Sequence, residues 1–320
     1  GLKYIITDNR YLNFSVGNYH QFISTFQDDF NPSILDNWIA ADTSVSPGKS
    51  MQVVLGYEEY IKNMYKIQVE GYYKDLKNLL TYEEKRSTTD AQVSDESLAN
   101  IVTPADGYAY GLELFGQKMS GKLSGWVAYT YSVSRKIMNS IYADGEQEYY
   151  TNWDRTHAFS VLGNYQFNKK WETNWRFALQ SGQAYTPIMG YYVQKFPESP
   201  EELFRTIPGT RNSGRYEPYS RLDIGAVYHA KIGKTNVDFF FQIINTLNRS
   251  NTFRKIYSLG SPYNGLDDDG DWVEEDHDDN GNGRPDPGET NVDESDEGKI
   301  NERSIGLFPI LPTFGFTWEF

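Results

Sequence analysis

The stretch Leu311-Pro312-Thr313-Phe314-Gly315-Phe316-Thr317-Trp318-Glu319-Phe320 alternates aromatic residues with small or polar ones. Because successive side chains of a strand point to opposite faces, it predicts a strand with one aromatic face and one small or polar face. An aromatic face is costly to leave in water, so it must meet either a protein core or lipid. The stretch is therefore compatible with the last strand of a soluble sandwich or of a transmembrane barrel, whose strands are apolar outward and polar inward.

Composition keeps both possibilities open. The 320 residues include 25 Tyr and are 16% aromatic, yet mean hydropathy is −0.64. No apolar run approaches the roughly 18 residues that a spanning helix needs. Only every second residue of a barrel strand faces lipid, so a barrel can be this polar. The chain has no Cys, which excludes disulfides and thiolate metal sites.

The net charge of −14 is concentrated in one segment. Residues 260–304 hold 16 Asp and Glu against 3 Lys and Arg, a balance of −13, which leaves −1 for all other residues. A basic footprint for nucleic acid is absent, so we expect no nucleic-acid partner.

Alternating segments predict about eleven strands, separated by connections that are short and long in strict turn. The long connections are about Gln21–Lys49, Glu83–Asp106, Lys136–Thr151, Gly182–Gly214 and the acidic segment. The tenth strand, from Val237 to Ile243, is expected to continue after a break through Phe253 and Ile256. The apolar positions that mark the first ten strands are Leu2–Ile6, Leu12–Val16, Met51–Tyr57, Tyr65–Tyr73, Tyr110–Leu114, Leu123–Val133, Phe159–Phe167, Trp171–Leu179, Leu222–Tyr228 and Val237–Ile243.

This rhythm favours a membrane barrel over a sandwich. Short turns join antiparallel neighbours, and outer-membrane barrels have short periplasmic turns and long extracellular loops. With the long loops outside, the first of eleven strands descends, whereas a closed bacterial barrel normally has an even number of strands. We therefore expect an ascending strand before Gly1 and a larger parent protein.

Several segments resemble known proteins. The terminal residues Thr313, Gly315, Trp318 and Phe320 fill the positions of the signal that recruits the barrel-assembly machinery of the bacterial outer membrane. Taken together, the remaining segments resemble the C-terminal barrel half of TonB-dependent receptors, across nearly the whole chain. They are Tyr108–Leu114, Gly125–Ser132, Asp154–His157, Ser181–Pro187, Tyr219–Ile224 and Ile244–Arg249.

The resemblance implies a fold and a function. The fold is an all-β, antiparallel, up-and-down transmembrane barrel of about 22 strands with a plugged lumen, of which residues 1–320 would form the C-terminal portion. The function is TonB-coupled uptake of a scarce nutrient, such as a metal chelate, vitamin or glycan, across the outer membrane. The plug and the segment that contacts the TonB complex would lie upstream, and no substrate residue can be carried over.

The acidic insertion, residues 260–304, contains a calcium-loop pattern. Its twelve positions run from Asp278 to Glu289, with Gly283 at the sharp turn, and the helices that flank a sensor-type loop are absent. We expect a structural Ca²⁺ site that stiffens the last extracellular loop, with a solvated acidic loop as the alternative. The ligands in this register are Asp278, Asn280, Asn282, the carbonyl of Arg284, Asp286 and Glu289, and a weaker register without Gly uses Asp267, Asp269, Asp271 and Glu275.

No catalytic pattern is present in the sequence. The histidines His20, His157, His229 and His277 lack ligand spacing, and no catalytic triad order or phosphate loop occurs, so we do not predict an enzyme. Inward carboxylates and cations are explained by a polar barrel interior. These charged residues are Glu58, Glu70, Glu113, Glu172, Asp223, Lys66, Lys74, Arg176 and Arg221.

Three hypotheses remain. The first is a receptor and transporter in outer-membrane lipid. The second is a structural or secretion-associated barrel that anchors a surface partner, such as a surface lipoprotein, without nutrient transport. The third is a soluble calcium-binding β adhesin.

Overall fold

The computed structural model describes residues 1–26, 37–82, 102–139, 145–196, 199–233, 235–259 and 300–319. The regular structure in these ranges consists of strands, as predicted. No helix in the described ranges has the length and apolarity needed to cross a membrane.

Eleven strands follow one another as neighbours in a single antiparallel up-and-down sheet. The predicted number of eleven strands is confirmed. In sheet order they are β1 (Leu2–Thr7), β2 (Arg10–Gln21), β5 (Gly48–Ile61), β6 (Tyr65–Tyr82), β7 (Val102–Lys118), β8 (Leu123–Asn139), β10 (His157–Gln166), β11 (Trp171–Gln180), β16 (Tyr219–Ile232), β17 (Thr235–Ile244) and β20 (Leu311–Glu319).

The connections alternate as predicted. Five short turns join β1 to β2, β5 to β6, β7 to β8, β10 to β11 and β16 to β17, so all lie at one edge of the sheet. In several of these turns, including those from β5 to β6 and from β16 to β17, the backbone takes positive φ angles. Lys62 and Asn63 both have positive φ, 53° and 52°, as a two-residue turn between twisted strands requires. Gly233 takes φ 64° at no steric cost.

The long connections contain further strands, and apart from the one through Phe253 and Ile256 the sequence pattern did not predict them. β9 (Glu146–Tyr150) pairs with β8, and β3 (Ile23–Phe26) pairs with β4 (Asn37–Ala40). β12 (Ala184–Tyr185) pairs with β15 (Gly214–Arg215). The other two hairpins are formed by β13 (Ile188–Phe196) with β14 (Ser199–Pro208), and by β18 (Thr252–Leu259) with β19 (Ile300–Gly306).

Three predicted boundaries are wrong. The tenth strand does not continue past its break, because β18 leaves the main sheet and pairs with β19. The loops predicted over Glu83–Asp106 and Lys136–Thr151 are partly strand, since β7 begins at Val102 and β8 runs to Asn139. In these two loops the added strand residues, Val102–Asp106 and Lys136–Asn139, mix apolar and polar residues without strict alternation and so give no period-of-two signal.

The chain divides into two compact units. The first holds the eleven-stranded sheet and comprises Gly1–Pro187, Gly209–Asn251 and Leu307–Phe320. The second comprises Ile188–Pro208 and Thr252–Gly306, with the hairpins β13–β14 and β18–β19.

The register gives the sheet one apolar face and one polar face. Residues paired across neighbouring strands share a face, so each row of partners shows its chemistry. One row defines the apolar face: Tyr4, Leu12, Tyr57, Val69, Leu114, Tyr129, Phe159 and Leu179. The adjacent row defines the polar face: Lys3, Asn13, Gly56, Glu70, Glu113, Thr130, Ala158, Gln180 and Tyr219.

The apolar face is the more exposed of the two. In β2, Leu12, Phe14 and Val16 are exposed, whereas Asn13 and Ser15 between them are half-buried. In the described residues nine hydrophobic side chains are buried, against 46 large hydrophobic side chains that are exposed. This arrangement is the inverse of a water-soluble sheet, which turns its apolar face to the core.

Candidate functional site: the polar face and the arginine recess

The predicted calcium ligands lie outside the described residues: Asp267, Asp269, Asp271, Glu275, Asp278, Asn280, Asn282, Arg284, Asp286 and Glu289. Where the structure does describe the chain, no group of three or more His, Cys, Asp or Glu side chains could hold a metal ion. The calcium site stays a prediction.

The terminal signal lies in β20, an edge strand of the sheet. Gly315 pairs with Phe240 on the polar face, and the Phe240 ring lies in the space that a Cβ of Gly315 would need. Trp318 belongs to the apolar face with Phe316 and Phe314, of which Phe314 is 89% exposed. Thr313 pairs with Gln242, and Phe320 is outside the described residues. Recruitment of the assembly machinery by these residues stays a prediction.

Charged side chains pair across the polar face near the short-turn edge. The Glu58 carboxylate lies between two ammonium groups, 3.7 Å from Lys3 Nζ and 3.4 Å from Lys66 Nζ. The three residues come from β1, β5 and β6, and β2 lies between β1 and β5 in the sheet. Mutual neutralisation across strands accounts for these charges without a catalytic role.

The histidines remain apart in the described chain. His157 lies on the apolar face, where its Nδ1 is 2.8 Å from the Tyr129 hydroxyl. His229 lies on the polar face, with its Nδ1 2.7 Å from Asp238 Oδ1. His277 falls outside the described residues.

At the long-connection edge, Asp154 joins three parts of the chain. Its carboxylate is 2% exposed and accepts hydrogen bonds from Arg215 Nη2 at 2.7 Å and from the backbone N–H of Ser134 at 2.9 Å. Arg215 also donates to the carbonyl of Gly182 at 3.2 Å, and its guanidinium lies 4.3 Å from the centre of the Tyr150 ring. Asp154 and Gly182 belong to two of the segments on which the family resemblance depends.

Asp223 likewise joins two other segments of the chain, Tyr219–Ile224 and Ile244–Arg249, by hydrogen bonds. This carboxylate is 4% exposed and forms two hydrogen bonds of 2.7 Å with the fork of Arg221. It also accepts a hydrogen bond of 2.9 Å from the backbone N–H of Asn245. Asn245, with φ 52°, donates its side-chain amide to the carbonyl of Phe308 at 3.1 Å. The resemblance segments therefore hold the turn that follows β17.

The side-chain amide of Asn251 forms the two hydrogen bonds with Ser220 that the backbone of a neighbouring strand would otherwise form. Its Oδ1 accepts the N–H of Ser220 at 2.8 Å, and its Nδ2 donates to the carbonyl of Ser220 at 3.0 Å. Both residues are buried. These two hydrogen bonds satisfy both backbone groups of Ser220, at the start of β16.

Beside this network the polar face opens into a cavity of about 240 Å³, which we name the arginine recess. It lies where β10, β11 and β16 meet at the long-connection edge. Three arginines line it, Arg155, Arg176 and Arg221, together with Ser160, Ala178 and Asp223.

Arg155 reaches the arginine recess from the connection between β9 and β10. Its Nη1 donates to Gln180 Oε1, its Nη2 donates to Gln183 Oε1 at 3.3 Å, and its guanidinium lies 5.8 Å from the centre of the Tyr219 ring. Burial lowers the pKa of Arg155 because desolvation disfavours the charged form. A guanidinium nonetheless stays protonated at every physiological pH.

The sequence placed Arg176, Arg221 and Asp223 on one strand face, expected to be inward, and the register confirms that they share the polar face of the sheet. Their convergence with Arg155 was not predicted. The two-residue spacing of Arg176, Ala178 and Gln180 shows that these side chains share a face, but only the cross-strand register brings them beside Arg221.

Comparison with known proteins gives structural likeness at low identity. No family model and no curated protein matches the sequence. Among solved structures, the ferripyoverdine receptor of the Pseudomonas aeruginosa outer membrane is similar over 78% of this chain, with 12% identity and a TM-score of 0.47. The siderophore receptor PirA from Acinetobacter baumannii has 11% identity and a TM-score of 0.47, and the FrpB iron transporter from Neisseria meningitidis has 13% identity and 0.46, each over 78% of the chain.

The chain spans only part of these proteins. It covers 29% of the ferripyoverdine receptor, 36% of PirA and 34% of FrpB. The comparison therefore does not assign the ligands of these three proteins to this chain.

Proposed function

We propose that this chain is part of an outer-membrane β-barrel receptor that takes up a scarce nutrient. The observation that carries the proposal is the exposed apolar face of the eleven-stranded sheet. Burial of apolar surface is worth about 25 cal/mol per Å², so a face of this size is unfavourable in water. Lipid removes that cost, and the polar face then lines an aqueous interior.

Two open sheet edges support a larger barrel. Strands β1 and β20 end the sheet, and within the described ranges neither pairs with a further strand on its outer side. Unpaired backbone N–H and C=O groups cannot be left in hydrocarbon, so barrels close on themselves. Eleven further strands would complete the 22-stranded barrel to which the sequence segments point.

Insertion of the apolar face into lipid is tested with two tryptophans at the same depth. Trp175 pairs with Gly163 on the apolar face, and Trp126 pairs with the neighbouring Leu162 on the polar face. We expect lipids brominated on their acyl chains to quench the fluorescence of a variant that keeps only Trp175, and to leave a variant that keeps only Trp126 unquenched. Equal quenching of both variants, or of neither, would contradict the barrel.

Energised uptake through the TonB complex is proposed from the sequence segments that resemble TonB-dependent receptors. A plug and a TonB-contacting segment would belong to the same polypeptide, so its mass in a membrane fraction should far exceed 36.8 kDa. A strain without the gene should then grow poorly on a medium limited in one nutrient, such as iron, a vitamin or a glycan, as should a strain without TonB. Normal growth on all media, with loss of a surface lipoprotein, would favour the anchoring barrel instead.

The calcium site is proposed as a structural element of the last extracellular loop. The support is the alternation of oxygen ligands in the Asp278–Glu289 segment around Gly283. Calorimetric titration of the full chain with Ca²⁺ should show binding with a dissociation constant of about 10⁻⁴ to 10⁻³ M. Glu289→Gln should abolish it, whereas Asp293→Asn, outside the loop pattern, should not. Retention of binding by Glu289→Gln would refute this register.

A further inference from the structure

The arginine recess has more positive charge than its own carboxylate can balance. Three guanidinium groups face a single carboxylate, Asp223, and Arg221 already occupies that carboxylate with both arms of its fork. In the described part of the chain, no carboxylate lies within ion-pair distance of Arg155 or Arg176. Arg176 is the cross-strand partner of Asp223 and its charge also acts on that carboxylate, so three guanidinium groups and one carboxylate leave a net charge of +2 for a ligand.

Arg155 is oriented without being neutralised. Its hydrogen-bond partners, the side chains of Gln180 and Gln183, are uncharged amides, and it is half-buried. Amide oxygens hold the guanidinium plane in place, but they leave its charge available to a ligand in the recess. An orientation of this kind suits planar, bidentate recognition of an anion.

The floor of the arginine recess is open because its side chains are small. Ser160 and Ala178 are cross-strand partners, and Ala178 is paired in turn with Arg221. Larger residues at these two positions would fill the 240 Å³ between the arginines. Instead, the space is large enough for an oxyanion and part of the molecule that bears it.

We infer that the arginine recess binds an oxyanion group, a carboxylate or a phosphate, of a small solute. The inference rests on the proposed function, because the polar face must line an aqueous path for a solute to reach the recess. It gives that path a preference for anionic solutes at its long-connection edge. The remaining polar groups, Ser160 and Tyr219, can donate hydrogen bonds to the same oxyanion.

The test uses the full polypeptide in detergent micelles, titrated calorimetrically with citrate and, separately, with inorganic phosphate. We expect saturable binding of at least one probe, and the stronger of the two identifies the oxyanion. Arg176→Gln should weaken binding by about 10- to 100-fold, the range expected for loss of a charge-assisted hydrogen bond. Arg10→Gln removes the same charge from the exposed pair with Glu59, outside the recess, and should leave binding unchanged.

A second variant adds a negative charge to the recess, whereas Arg176→Gln removes a positive one. Ser160→Glu would place a carboxylate between the arginines, and we expect it to abolish binding while Trp175 remains quenched by brominated lipid. Absence of saturable binding by both probes, or equal weakening by Arg176→Gln and Arg10→Gln, would overturn the inference. Trp175 quenching of the same variants after transfer from detergent into brominated lipid separates that result from failure of the barrel itself.

Discussion

Leu114→Arg tests which solvent the apolar face meets. Leu114 is 40% exposed and lies between Val69 and Tyr129 in the central apolar row. It stands four residues before Lys118, the end of β7, which is about 14 Å along the strand. At a tilt of about 40° this is about 10 Å from the short-turn edge, near the middle of an apolar band about 25 Å tall.

The two environments predict different magnitudes. In lipid, Arg near the midplane costs about 2–4 kcal/mol, which changes the unfolding equilibrium by about 30- to 900-fold. In water, replacing a side chain as exposed as Leu114 changes the free energy of unfolding by about 0.5 kcal/mol or less.

The measurement is equilibrium unfolding by guanidinium in phospholipid vesicles, followed by tryptophan fluorescence. Thr130→Arg is the matched control, because Thr130 lies on the polar face and is paired with Glu113. We expect that control to change the free energy of unfolding by less than about 1 kcal/mol. A cost below about 1 kcal/mol for Leu114→Arg, or similar costs for both variants, would refute the assignment of the apolar face to lipid.

Three further predictions concern the long-connection edge. Asn251→Ala should lower the free energy of unfolding by about 1–3 kcal/mol, since it leaves the buried backbone groups of Ser220 without partners, and calorimetric melting will show it. Gly182→Ala should also lower the melting temperature, because its Cβ would collide with the Tyr216 carbonyl oxygen, and an unchanged melting temperature would contradict this packing. The pKa of Asp42 is lowered because its carboxylate accepts two backbone N–H groups at 2.7 and 2.9 Å, so its contribution to stability is present above the ordinary pKa and lost as pH falls through the lowered value. The protection factors of the Ser44 and Val45 amides, which are exchange rates taken relative to the intrinsic rate at each pH, should therefore fall only in acid, whereas in an Asp42→Ala variant they should be low at all pH values.

Much of the fold could be predicted from sequence because both governing signals are local. A period of two marks each strand, and the length of a connection shows whether neighbours are antiparallel. These signals predicted eleven strands and five short turns, and both are confirmed. They failed where a strand continues without strict apolar alternation, as at the start of β7 and the end of β8, and where β18 pairs with β19 outside the main sheet.

The alternation in β20 by itself determined that one face of this strand is aromatic and the other small or polar. Only the tertiary structure decided that the apolar side is the more exposed one, because exposure depends on what the neighbouring strands cover. The same holds for the arginine recess. Arg155, Arg176 and Arg221 come from three separate segments, and their meeting depends on cross-strand register, a long-range property that no local pattern encodes.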